Sequence, residues 1–161
     1  MPPRLSPAQV FCYLRMGLVT GLIDKAALIA WADAEIMAAA LPDDRIIDLA
    51  LSQNRSYSAI LWRLRDYQGP PIYELALEAL LARAGRCLAA DPGRATDIAL
   101  GLRLLDEEEY LPPLIRRPIQ DLKAAIDDWR RGHLSPAGLH AHLAAFLAPF
   151  RAYEALLDHL P

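Results

Sequence analysis

Apolar residues recur along this chain at intervals of three and four, the spacing that lines one face of an α-helix. In "IYELALEALLARAGRCLAA", Leu77, Leu80, Leu81, Ala84 and Leu88 fall on one side. Ile119, Leu122, Ile126 and Trp129 repeat the pattern, and Leu139, Leu143, Phe146, Leu147 and Phe150 form the last clear stripe. No stretch alternates apolar and polar residues with the period of a strand, and β-branched residues are sparse beside Ala and Leu. The pattern predicts an all-α fold of about eight or nine helices, each of the usual length of roughly 10 to 14 residues.

Capping residues mark where these helices begin. Ser6 offers a hydroxyl to an orphan backbone N–H, and Pro7 follows at the first helical position, where its missing donor is not needed. Ser135 and Pro136 repeat the arrangement; the shared "LSPA" is explained by capping alone, without an internal duplication. Asp24 caps "KAALIAWADAEIMAAA", and Pro42, Asp43 and Asp44 occupy the first turn of "DDRIIDLALS". Ser56 opens "YSAILWRLRDY", which stops before Gly69, Pro70 and Pro71, and Asp91 and Pro92 reset the chain for "GRATDIALGLRLL". Pro112, Pro113 and Pro118 are expected to break regularity before the helix of Ile119, which ends near Gly132. Short loops and the lack of a Gly/Ser linker predict one domain over residues 1–161, either a multi-helix bundle or a short stack of antiparallel helical hairpins.

The helix of Trp31 has little polar circumference. Leu28, Ile29, Ala32 and Ile36 share an apolar arc with Asp33 at one margin, while Glu35 separates that arc from Trp31. Trp31 is read as core, since large aromatics at helical spacing mostly serve burial, with a half-exposed interface anchor as the alternative.

Composition narrows the function classes. The 161 residues are 54% hydrophobic and 23% charged, which favours folding over disorder. A formal net charge of −3 lacks the basic excess of a phosphate-binding surface, so nucleic acid is not an expected partner. Cys12 and Cys87 are too few for a disulfide framework and are read as free thiols of a cytoplasmic protein. "MPPRLSPAQ" has no apolar core of a signal peptide, and Gly132 to Phe150, the longest uncharged stretch, is interrupted by histidines and prolines, so no membrane span is expected.

Catalytic patterns are hard to find. His140 and His142 stand two apart, a spacing that points them in different directions on a helix, and no "HExxH", "CxxC" or "GxSxG" occurs. His133 and His159 are likewise read as surface or boundary residues. The carboxylate pairs Asp43 with Asp44 and Asp127 with Asp128 read as solvated neighbours, without the contrast of environments that acid–base catalysis needs. Asp121 and Asp128 are expected to pair with Arg117 and Arg131 along their helix. No enzyme, metal or cofactor is therefore expected.

One run asks for more. "LLDEEEYLPP" places Asp106, Glu107, Glu108 and Glu109 together before Tyr110. Such acids are unfavourable at the negative end of a helix and repel one another, so keeping them suits the steering of a basic partner, with Tyr110 as an amphipathic contact. The competing reading is a solvated loop balanced by Arg116 and Arg117.

A resemblance bears on this choice. "GLIDKAALIAWADAEI" followed by "LPDDRIIDLALS" resembles the opening of small helical immunity proteins of bacterial polymorphic toxin systems, through Trp31, Ala32, Asp33 and Ile36, then Pro42, Ile46, Ile47, Asp48, Leu49 and Leu51. It covers the first third of the chain. The resemblance implies a cytoplasmic protein that binds and blocks a cognate toxin, often a basic nuclease, without doing chemistry. The leading expectation is an immunity-type inhibitor whose partner surface comprises Asp106, Glu107, Glu108, Glu109 and Tyr110 together with Trp31 and Asp33. The alternative is a helical scaffold or adaptor that holds a peptide or helix in a groove between hairpins.

Overall fold

A computed structural model describes residues 4–70, 72–108 and 110–161. Among these residues the fold is all-α, with eight α-helices and no strand. The helices are α1 (Pro7–Thr20), α2 (Lys25–Ala38), α3 (Asp44–Ala50), α4 (Tyr57–Gln68), α5 (Glu74–Ala90), α6 (Ala95–Leu102), α7 (Pro113–Arg130) and α8 (Pro136–Leu147). Shorter 3₁₀ segments, Leu51–Asn54, Pro92–Arg94 and Arg103–Glu107, join some of them, and a longer one, Ala148–His159, follows α8. No helix among the described residues is long and apolar enough to cross a membrane.

The helix starts follow local chemistry. Ser6 forms a reciprocal capping box with Gln9, each side chain bonding the other's backbone N–H. Asp24, Ser56 and Ser135 accept from Ala27, Ala59 and Gly138, and Gly21 at φ +71° ends α1 in the left-handed region that a side chain would disfavour. Asp43 is the cap of α3 rather than a first-turn residue, since its carboxylate accepts the Arg45 N–H.

Two expectations are corrected. Pro118 does not break the chain before α7; it lies inside a helix that already starts at Pro113. Ile115, Ile119, Leu122, Ala125 and Ile126 are all buried along that helix, and this packing outweighs the one backbone hydrogen bond that Pro118 cannot donate. The intrahelical pairs of Asp121 and Asp128 with Arg117 and Arg131 do not form among the described residues; Asp128 instead lies 4.0 Å from His133.

α1 is the central element, with every residue from Phe11 to Leu18 buried. It packs chiefly on α4 and α5, and α5 in turn carries the Ala148–His159 segment. Contacts between elements distant in sequence make this a bundle, since in a stack of repeats each unit touches mainly its neighbours. α6 crosses the end of α1 so closely that a β-carbon at Gly101 would collide with the carbonyl oxygen of Thr20.

Candidate functional site

The residues expected to meet a partner divide between two places. Asp106 ends in an ion pair with Lys123 of α7, 2.9 Å away, and this hydrogen bond holds its carboxyl below the usual carboxylate range. Glu108 turns inward. Its two oxygens accept from Nη1 and Nη2 of Arg15 at 3.1 and 3.3 Å, while Arg15 Nε donates to Gln68 at 2.8 Å. Arg15 sits in the middle of α1 and is nearly buried, so Glu108 neutralises a charge that could not stand alone there. Arg116, expected to balance the run as a whole, donates to the backbone carbonyls of Glu108 and Leu111. Glu107 and Tyr110 are exposed at the rim of a polar cleft of about 250 Å³ that also reaches Arg65 and Gly69. Glu109 lies outside the described residues.

Trp31 and Asp33 part company on α2. Asp33 is on the exposed outer face, whereas Trp31 is half-buried and stands between two cavities of about 320 and 350 Å³. Trp31 thus holds a position between the two readings: it packs against the core but is only half-buried, and it lines both cavities. Its indole N–H donates to the carbonyl of His159 at 3.2 Å, which fixes the ring against the last 3₁₀ segment.

Both cavities share Leu5, Val10, Trp31 and Glu35, so they adjoin along these four residues and are treated together as one groove. Its floor follows from the start of α1. Leu5 precedes the Ser6 cap and Val10 is the fourth helical residue, the two positions of a hydrophobic staple. On one side Phe11, Ile36, Leu41 and Ile46 complete the wall; on the other Ala38, Leu156 and Leu160 do so. Leu41 is 90% exposed at the groove's margin. At the α3 end Arg45 pairs with Asp43 at 2.6 Å and lies over the Phe11 ring, 4.9 Å from its centroid. At the other end Arg4 reaches the His159 ring nitrogen at 3.2 Å.

Glu35 faces this groove from the last turn of α2, which holds no basic residue, and among the described residues its side chain has neither an ion pair nor a hydrogen bond. The sequence pointed to Trp31 but not to Leu5, Val10, Glu35, Leu41 or Ile46. A signal was present: a capping box flanked by Leu5 and Val10 announces an apolar pair at a helix start, and an acid at a helix end without a basic neighbour announces an unmet charge.

Away from the groove, Asp48 and Cys12 are the clearest cases of groups shifted by their surroundings. Asp48 accepts from Arg55, Tyr67 and Arg63, and its carboxyl is held low chiefly by the Arg55 hydrogen bond. Burial pushes the Cys12 thiol up to about 11, which keeps it protonated and unreactive at neutral pH. No group of three or more His, Cys, Asp or Glu residues able to hold a metal ion occurs among the described residues.

The site and the bundle together define the class as an all-α domain with an open apolar groove. Comparison with known proteins gives no matching family model, no matching curated protein and no matching solved structure.

Proposed function

We propose that this chain is a non-enzymatic protein-binding domain that holds a segment of a partner in the groove around Trp31. The observation that carries the reading is the groove itself: two mostly apolar cavities that adjoin at one half-buried tryptophan, a size and lining suited to anchor side chains of a partner. Interfaces concentrate their energy in a few residues, Trp prominent among them, that become fully desolvated on binding, and half-buried Trp31 at the lining of both cavities supports that role.

The inhibitor reading is the second one. It is supported by the exposed pair Glu107 and Tyr110, with a basic toxin domain as the partner that the resemblance implies and the cytoplasm as the place of action. Because Asp106 and Glu108 are already paired within the chain, Glu107 is the residue of the described run with charge to offer.

Affinity capture from the native lysate separates the two. Leu41→Lys alters only an exposed side chain of the groove, and Glu107→Lys only an exposed side chain of the acidic run. Loss of the captured protein with Leu41→Lys and retention with Glu107→Lys is the expected result. The reverse pattern would transfer the function to the acidic run. A charge reversal that included Glu108 would not discriminate, because it would also strand Arg15.

A further inference from the structure

We infer that the occupant of the groove is an amphipathic α-helix with basic residues beside its apolar stripe; this rests on the groove being the binding site. Two independent features carry it. The first concerns hydrogen bonds. A bound segment must satisfy its own backbone N–H and C=O groups once water is excluded. The walls are mostly apolar side chains, Leu5, Val10, Phe11, Trp31, Ile36 and Ile46 among them, and no strand edge exists among the described residues to pair with an extended peptide. A helix brings its backbone bonds with it, and its side chains at spacings of three and four can reach both cavities across Trp31.

The second feature is charge. Glu35 stands where both cavities meet, without a partner among the described residues, in the turn where the last carbonyls of α2 already make the negative end of its dipole. At the α3 end Asp43 and Arg45 neutralise each other, which leaves exposed Asp44 as the charge beside them. Arg4 and His159 line the second cavity with Glu35, but Arg4 is turned to the His159 ring nitrogen and makes no ion pair with Glu35 among the described residues. The centre of the groove therefore favours a cation, and an acidic or neutral helix would leave Glu35 partly desolvated and unpaired. Lysine or arginine one turn from an apolar anchor answers both demands, its stem lying along Trp31 or Leu5 while its head reaches the carboxylate.

Three synthetic peptides of about 18 residues, long enough for five helical turns, test this. They share one apolar stripe; the first flanks it with lysines, the second with glutamates, and the third is the lysine peptide with two central prolines that forbid a helix. Amide and indole NMR shifts of the whole chain report where each binds. The expected outcome is binding of the lysine helix at Trp31, Glu35 and Ile46, about tenfold tighter than the glutamate helix at low salt. Glu35→Lys should reverse that order, and Leu41→Lys should weaken both helices, while Glu107→Lys leaves both unchanged.

Each other outcome removes a different part. Groove shifts with the proline peptide as strong as with its helical parent would make the occupant extended, overturning the helix while the groove survives. Equal affinity of the lysine and glutamate helices would overturn the basic partner. Shifts from all three confined to residues outside the groove, or none at about 1 mM peptide, would remove the occupant and the groove reading together.

Discussion

Single residues divide the acidic run into structural and free charges. Glu108→Gln should destabilise the fold by about 2 kcal/mol, because it leaves the nearly buried Arg15 without its counter-charge, whereas Glu107→Lys should change stability by less than about 0.5 kcal/mol. Urea unfolding of the two variants checks this, and equal midpoints would deny Glu108 its inward role. Two glycines make a matched pair. Gly101→Ala should cost about 1 to 3 kcal/mol, since the new methyl would press on the Thr20 carbonyl, while Gly85→Ala in α5 should gain about 0.5 to 1 kcal/mol because its β-carbon would meet Leu147 at an ordinary 3.8 Å. The sequence showed four adjacent acids; it did not show that one of them answers an arginine 93 positions earlier. That pairing is long-range, and neither charge is remarkable without the fold.

Among elements, the start of α1 both caps a helix and builds the groove floor. Ser6→Ala should lower stability by about 1 kcal/mol through loss of the capping box, and the loosened first turn should weaken partner binding more than Ser135→Ala, which removes the single side-chain cap of α8, outside the lining of the groove. Comparable binding by the two variants would separate the cap from the site. The segment from α3 to α4 is tied by Asp48, whose carboxyl is depressed by Arg55 first and by Tyr67 and Arg63 after it; Asp43 and Asp106 are depressed by Arg45 and Lys123. A lowered folded value means that the unfolded chain binds protons first as acid is added. These pairs therefore stabilise fully above the ordinary carboxylate range near about 4 and are lost as pH falls below it. Thermal unfolding between neutral pH and strong acid should show that decline, and Asp48→Asn should shrink it. The caps of α1, α2, α4 and α8 were legible because capping is a matter of neighbouring residues. The course of α7 through Pro118 was not, because its buried stripe is satisfied by other helices.

At the scale of the whole molecule, burial of α1 ties stability to alkaline pH. Cys12 rises from 9.0 to about 11 and Tyr13 is also raised, both chiefly by desolvation. The unfolded chain therefore loses these protons first, and the stabilisation, complete below pH 9.0, should fall away as pH climbs toward about 11. Cys12→Ala, compared with its own stability at neutral pH, should lose less over that window; an unchanged slope would assign the effect to the tyrosines. The fold class, the helix starts and the stripes of α5, α7 and α8 were determined by the sequence, because periodicity and capping act over a few residues. Which helices meet, that α1 and α5 form the centre, and that the acids are partly consumed by internal pairs were decided by the tertiary structure. So was the groove: Leu5 and Trp31 meet Ile46 in one cavity and Leu160 in the adjoining one only after α1, α2, α3 and the last 3₁₀ segment have packed, and that convergence cannot be read from any single stretch of chain.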